Sequence, residues 1–253
     1  MGKIIQVLLV DAMKRVVLIC LGVLLLGAPG AVAGTVDASK YDAFWLWSGV
    51  APQPVLKHAR CVYVLQGQIE AKRGDESQVR FIAQGVAVPH HQPVEVWLAY
   101  RVHTLHWTPR EYEILLAQLQ RWSQAGNRVA GVQIDFDAHT LHLQEYVDFL
   151  KGLRRQLPSD YRLGITGLLD WSANGDPRGL DALAGTVDEI VLQIYQGRHS
   201  IPGYERYLAR LDRLRIPFRI GLPQGGEWDA PEGLEANPMF RGYVVFLLNP
   251  LPT

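Results

Sequence analysis

Two aspartates, Asp135 and Asp137, close a strictly alternating segment that predicts a β-strand. In residues 131–137 the valine, isoleucine and phenylalanine would face one side of the strand, and Gln133, Asp135 and Asp137 the other. Carboxylates at this spacing have Cα atoms about 6.5 Å apart. Their repulsion raises the pKa of one carboxyl group and leaves it able to donate a proton. The pair therefore suggests acid catalysis on a sugar. The alternative is a hydrogen-bonded polar plug that Arg101 neutralises.

The elements that must position this pair alternate between strands and helices. Strands are predicted at 44–48, 61–66, 94–101, 129–137, 162–169, 189–195, 218–222 and 243–248. Helices are predicted from a Thr108 cap to Gly126 and over 143–157, 177–183 and 202–214. This order predicts an α/β fold, a small (β/α)8 TIM-type barrel with an irregular 67–93 segment and no final helix. Residues 79–88 suggest an extra strand that pairs with Glu70 in a hairpin. A doubly wound open parallel sheet is the alternative.

Function in such a barrel lies at the carboxyl ends of the strands. Aromatic rings stack on sugar faces, and amides and acids bond sugar hydroxyls. The predicted strand ends supply both kinds of side chain, namely Trp45, Trp47, Gln66, Tyr100, Arg101, Gln133, Asp135, Asp137, Thr166, Asp170, Trp171, Gln193, Tyr195, Gln224, Glu227 and Asp229. Alternatives stay open for several of them. Trp45 and Trp47 would serve equally well in core packing, Asp170 as a helix cap, and residues 225–229 as a mobile lid.

Two segments resemble motifs of family 18 glycoside hydrolases, the chitinase-like enzymes. Residues 130–137 are similar to their fourth-strand pattern Asp-Gly-x-Asp-x-Asp-x-Glu, and residues 193–196 are similar to their Met-x-Tyr-Asp. The resemblance implies that Asp135 orients a substrate acetamido group, that Asp137 stands in the general-acid position, and that Tyr195 lies beside the reacting group. The departures are that Ala130, Gln133 and Gln196 replace aspartates of the patterns. The family's third-strand Ser-x-Gly-Gly is absent.

Residues 132–138 together with Ile-Thr-Gly-Leu-Leu-Asp-Trp at 165–171 resemble a bacterial family named domain of unknown function 3142 more closely. That resemblance extends over most of residues 34–253 and brings no activity with it.

The amino-terminal 33 residues have the pattern of a signal peptide. Lys14 and Arg15 precede an apolar run over 16–26, and Ala31-Val32-Ala33 forms an A-x-A cleavage site. We therefore expect a signal peptide at 1–33, a single barrel domain at 34–253, and a periplasmic or secreted location. The run is short for a transmembrane helix, and an uncleaved anchor is the alternative. Contact with a membrane is expected only through this segment.

Composition excludes several function classes. The chain has 25 basic and 25 acidic residues, so its formal charge of zero gives no electrostatic reason to expect nucleic acid. No Gly-x-Gly-x-x-Gly follows a predicted strand and no His-Glu-x-x-His occurs, so neither a cofactor nor a metal is expected. Cys61 alone remains after Ala33, which excludes an internal disulfide in that part.

These observations predict an exported glycoside-hydrolase-like protein that acts on a cell-surface or extracellular polysaccharide through carboxylate acid catalysis. A catalytically inactive carbohydrate-binding or scaffold protein of the cell envelope is the second hypothesis. A signal-anchored envelope protein whose acids are purely structural is the third. Fold alone does not choose among them. These hypotheses leave the kind of sugar and the oligomeric state open.

Overall fold

The computed structural model of the chain describes residues 34–47, 49–85, 94–136, 143–168, 177–197, 199–209, 211 and 214–249. Eight parallel strands form its centre, namely β2 (Ala43–Leu46), β3 (Cys61–Lys72), β5 (Glu95–Val102), β6 (Arg128–Asp135), β7 (Arg162–Leu168), β8 (Glu189–Gln193), β11 (Phe218–Pro223) and β13 (Phe240–Phe246). Each pairs in parallel with its neighbours in the order β2-β13-β11-β8-β7-β6-β5-β3.

The sheet is a closed barrel because its two ends meet. The short strand β2 pairs with β13 on one side and with β3 on the other, for example Phe44 opposite Val62. A doubly wound open sheet would leave both strands as edges. The closed pairing therefore excludes the open-sheet alternative and confirms the TIM-type barrel.

The predicted irregular segment between the second and third barrel strands begins as a β-hairpin. Strand β4 (Asp75–Ala83) runs antiparallel to the second half of β3, and Glu70 lies opposite Arg80. The hairpin and its Glu70 pairing were both expected, although β4 starts at Asp75 rather than Val79. Residues 86–93 of this segment lie outside the described residues.

Four helices of the described residues lie on the outside of the barrel. They are α1 (Pro109–Gln124), α2 (Leu143–Gln156), α3 (Pro177–Ala184) and α4 (Tyr204–Leu208), with 3₁₀ turns at 38–40, 54–58 and 234–236. Helix α1 starts as predicted, because the Glu111 carboxylate accepts bonds from the Thr108 backbone N–H (2.9 Å) and hydroxyl (2.6 Å). None of the helices in the described part of the chain has the length and apolar content needed to span a membrane.

The helix predicted over 202–214 is wrong in length, since α4 ends at Leu208. Leu211 and Leu214 still reach the core, but a separate turn carries them, in which the Leu214 N–H donates to the Leu211 carbonyl at 2.9 Å. Leucines spaced by three residues suit a three-residue turn as well as a helix, so their spacing could not separate the two.

Short strands complete the fold around the carboxyl end of the barrel. Strand β1 (Gly34–Thr35) pairs with β12 (Glu227–Trp228), and β9 (Tyr195–Gln196) forms a hairpin with β10 (His199–Ser200). Residues 247–249 form no helix, in agreement with the expectation of no final helix as far as the described residues extend.

Aromatic side chains fill the barrel below its mouth. The Tyr63 ring lies 6.1 Å from Trp45 and 5.7 Å from Trp97, measured between ring centroids. Glycine makes room for the indoles, because a Cβ at Gly221 would come within 2.6 Å of the Trp45 ring and one at Gly164 within 3.0 Å of Trp97. The interior is therefore a packed core, and any cavity at the mouth has an aromatic floor.

A buried polar group lies beneath these rings, toward the amino end of the barrel. The Glu189 carboxylate accepts hydrogen bonds from the Tyr63 hydroxyl and from Arg219 Nε, the latter at 2.9 Å. Burial and the negative charge of Glu189 raise the pKa of Tyr63, so its hydroxyl remains a donor. Cys61 is also buried, and burial raises the pKa of its thiol to about 12, as suits a structural rather than a nucleophilic cysteine.

Candidate functional site

A cavity of 770 Å³ opens at the carboxyl ends of the barrel strands. Eight of the residues predicted from strand ends line it, namely Trp45, Trp47, Arg101, Gln133, Asp135, Thr166, Gln193 and Tyr195. They come from β2 and the residue after it, from β5, β6, β7 and β8, and from β9, and the alternation along the strands turns them inward. The parallel barrel thus brings together acid, amide, cationic and aromatic side chains that are far apart in sequence.

Not every predicted residue reaches this cavity. Glu227 lies on β12, where its pairing with β1 leaves its side chain exposed and outside the cavity lining. Its backbone carbonyl accepts a bond from the Ser200 hydroxyl. Asp137, Asp170 and Trp171 lie outside the described residues.

Two further strand-end residues face the helices instead of the cavity. The Gln66 side chain accepts a bond from Trp122 Nε1 on α1 at 2.9 Å, and the Tyr100 hydroxyl donates to Gln118 of the same helix at 2.6 Å. A bulge at Gln66 shifts the register between β3 and β5, and Tyr100 alternates with Arg101, which points inward. Position at a strand end alone therefore predicts more cavity residues than the structure contains.

Asp135 is the acid of the described cavity, and it is 8% exposed. The Thr166 hydroxyl on β7 donates to its Oδ1 at 2.8 Å, while Arg101 occupies the paired position on β5. The site therefore presents a fixed, partly enclosed carboxyl group.

Gln133 lies two residues deeper on the same strand and is 1% exposed. Its Oε1 accepts a bond from Trp45 Nε1 at 2.6 Å. Its Nε2 is buried and has no hydrogen-bond partner among the described residues. An unpaired buried donor lowers the stability of a fold by about 1–3 kcal/mol. Among the described residues that line the cavity, this amide nitrogen is the buried side-chain atom without a hydrogen-bond partner.

Aromatic rings form one wall of the cavity. Phe246 lies edge-on to Trp47 at 5.4 Å and parallel to Tyr195 at 6.5 Å. The Arg101 guanidinium lies 5.4 Å from the Trp47 ring centroid, a distance at which the ring attracts the cation. Such a wall offers flat apolar surface beside the polar floor.

The Tyr195 hydroxyl is held in its protonated form. Burial raises the pKa of Tyr195, the negative charge of Asp135 raises it further, and Arg101 opposes the shift in part. At neutral pH the phenol is therefore a hydrogen-bond donor. Asp135 and Tyr195 consequently supply an acceptor and a donor to the same cavity.

Several cavity residues were not predicted from the sequence. Phe246 belongs to β13, and the inward alternation of that strand could have identified it. Gln196 was noted only as a departure from the Met-x-Tyr-Asp motif. Gly197 and Ile201 come from the β9–β10 hairpin and its end, where the local pattern gives no sign of a cavity residue. Within the described residues, no group of three or more His, Cys, Asp or Glu side chains is arranged to hold a metal ion.

Comparison with solved structures finds proteins of low sequence identity. The spore cortex-lytic enzyme SleL of Bacillus cereus is 16% identical with a TM-score of 0.47, over 72% of this chain and 50% of that one. The chitinase domain of the spore coat protein CotE from Clostridium difficile is 13% identical with a TM-score of 0.46, over 79% and 69%. The xylanase and alpha-amylase inhibitor protein XAIP-II of Scadoxus multiflorus is 12% identical with a TM-score of 0.49, over 84% and 93%.

This chain therefore spans half the length of SleL. Likeness at these values assigns no activity to it. No curated protein matches the sequence.

A family model does match the chain, and the match confirms one of the two predicted resemblances. It begins after β5 and includes β6 and β8, so it covers Gln133, Asp135, Thr166 and Tyr195 of the cavity. Residues 105–226 match the family described as domain of unknown function, DUF3142.

Proposed function

We propose that this protein binds an oligosaccharide segment of a cell-surface or extracellular polysaccharide in the barrel-mouth cavity and cleaves it by carboxylate acid catalysis. One observation carries the proposal. A single cavity joins an enclosed carboxylate, Asp135, to an aromatic wall that includes Trp47. Sugars have both apolar faces and hydroxyl edges, so they suit a cavity with both kinds of surface.

The proposed chemistry assigns one role to each acid. Asp137 follows Asp135 by two residues and would donate a proton to the leaving glycosidic oxygen. Asp135 would keep the shared site negative and so raise the pKa of the donor. If the sugar carries an N-acetyl group, its carbonyl would be the internal nucleophile, with the Tyr195 hydroxyl supporting it, as the resemblance to family 18 implies.

A substrate without an N-acetyl group needs a second carboxylate. Asp170, Glu227 and Asp229 are the candidates from across the mouth. Glu227 and Asp229 are exposed and outside the cavity lining, so a loop movement would have to bring either of them in, and Asp170 lies outside the described residues.

A binding protein without turnover is the second candidate, and the same strand favours it. Ala130 and Gln133 stand where two aspartates of the enzyme motif would be, and Asp137 is one methylene shorter than glutamate. Catalytic geometry tolerates about an ångström of displacement before rates collapse. Gln133 is also tied to Trp45 in a neutral hydrogen bond. Such a floor can bind a sugar without helping a proton move.

A binding screen tests the proposal directly. Trimers of N-acetylglucosamine, glucosamine and glucose are titrated into the protein by calorimetry, and reducing ends are measured after incubation. We expect saturable binding of at least one trimer, about tenfold weaker in Trp47→Phe, since the indole provides more stacking surface. Trp107→Phe is the matched control, because Trp107 packs against Tyr112 and Phe149 and is not part of the cavity lining. Absence of binding to all three trimers would contradict a sugar site.

Export is the other part of the proposal, with a periplasmic or secreted destination. The A-x-A site after a basic region and a short apolar run predicts cleavage after Ala33. We expect exported protein to have the mass of a chain that begins at Gly34. Mass spectrometry checks this, and an intact terminus at Met1 or Met13 would instead support the anchored form.

A further inference from the structure

We propose that Gln133 determines sugar specificity, by donating a hydrogen bond from Nε2 to an oxygen of the bound residue. This inference rests on the proposed sugar site and adds the chemistry that the floor of the cavity selects. It concerns a residue that departs from the enzyme motif, where an aspartate would be.

Trp45 fixes the orientation of the Gln133 amide. An indole N–H can only donate, so the atom that it contacts at 2.6 Å must be the amide oxygen. The Trp45 ring has little freedom of its own, because Gly221 lies against it and Tyr63 packs beside it. The orientation of the amide is therefore fixed, and its –NH₂ group is the end that can donate to another molecule.

The –NH₂ group lacks an acceptor among the described residues. The nearest acid along the strand, Asp135, accepts from Thr166. Buried polar groups are nearly always paired, and Gln133 is 1% exposed, so an acceptor reaches Nε2 only when the side chains that line the cavity around it shift. Gln133 lines the cavity, so a group that enters the cavity and reaches its floor can provide the acceptor.

The required acceptor defines the class of ligand. An amide –NH₂ only donates, so a hydroxyl or carbonyl oxygen satisfies it. The ammonium group of a protonated amino sugar also only donates and would leave both groups unpaired. A site with a buried donor rejects a ligand that cannot accept. The floor therefore selects a sugar with a hydroxyl or acyl substituent at that point over one with a free amino group.

The variant Gln133→Glu tests this with almost no change in shape. It keeps an oxygen for the Trp45 N–H and replaces the donor with a second acceptor. We expect about tenfold weaker binding of the N-acetylglucosamine or glucose trimer and a shift in preference toward the glucosamine trimer. Gln120→Glu is the matched control, because it makes the same change on the exposed face of α1.

A second measurement does not depend on the variant folding. In ¹⁵N-labelled wild-type protein, the Gln133 side-chain protons can be assigned through their proximity to the Trp45 indole proton. We expect one of them to shift downfield as the N-acetylglucosamine or glucose trimer saturates the protein.

The outcomes separate the two proposals. Trimer binding that moves the Trp47 indole resonance but neither Gln133 proton would overturn the role of Gln133 and leave the sugar site intact. Unchanged affinities and preference in folded Gln133→Glu would have the same meaning. If none of the three trimers binds wild type, the sugar site fails and the role of Gln133 fails with it.

Discussion

Turnover is expected to fall by about 10²–10⁴-fold in Asp137→Asn, with oligosaccharide affinity retained. Asparagine matches aspartate in size but cannot protonate a leaving group, and general acid catalysis contributes a factor of that order. Rates and affinities are measured on whichever trimer the binding screen identifies, in wild type and variant side by side. Lost turnover with retained binding would support catalysis by this strand.

The control for this comparison is Asp160→Asn, the same substitution in an exposed turn at the amino end of β7, away from the carboxyl ends that form the cavity. It should leave both rate and affinity unchanged. Equal turnover in wild type and Asp137→Asn would remove Asp137 from the mechanism. Binding without turnover in both proteins would instead favour the binding-protein alternative.

The largest loss of stability is expected when the buried cluster of Glu189, Arg219 and Tyr63 beneath the aromatic rings is broken. Glu189→Ala removes the acceptor of both Arg219 and Tyr63 and leaves a largely buried cation unpaired. Breaking a buried ion pair costs roughly 3–5 kcal/mol. We expect the lower end, about 3 kcal/mol, because 21% of the Arg219 side chain is exposed and water can solvate it in part. The free energy of unfolding in urea measures the loss.

Two further variants serve as controls for this measurement. Glu70→Ala breaks the Glu70–Arg80 pair, in which 63% of the arginine side chain is exposed, and should cost less than about 1 kcal/mol. Combining Glu189→Leu with Arg219→Met removes both charges and should recover much of the stability lost in Glu189→Ala. If Glu189→Ala lowered the free energy of unfolding no more than Glu70→Ala does, the buried ion pair would stabilise the fold no more than the exposed one.

The strands could be predicted from sequence because each carries a local signal. Alternation in 131–137 identified which side of β6 faces inward, and Gln133 and Asp135 both line the cavity. The Thr108 capping box located the start of α1 for the same reason, since all its atoms lie within one turn. Such features depend on neighbours in sequence and need no knowledge of the fold.

Contacts between residues far apart in sequence determine which of the other residues enter the cavity. Gln66 and Tyr100 were predicted to line the cavity but contact helix α1 instead. Gln66 lies at a bulge, and Tyr100 alternates with Arg101, which points inward. Glu227 is outside the cavity because its strand pairs with residues at the other end of the described chain, Gly34 and Thr35. Gln196 and Gly197 enter the cavity through a hairpin with no distinctive composition. Each of these outcomes depends on pairing partners that a local pattern does not contain.

The pairing of β2 with β13 has a consequence for the dynamics of the cavity. Within the described residues these strands pair through Phe44 and Trp45 opposite Val245 and Phe246, and the Leu247 N–H donates to the Trp45 carbonyl at 3.2 Å. So short a junction is where local opening should require the least free energy. Trp45 and Phe246 are cavity residues on its two sides, so a bound sugar that touches both would have to release before the junction parts. Binding in the cavity and pairing of β2 with β13 would then be thermodynamically linked, and a ligand is expected to slow hydrogen exchange first at these two strands.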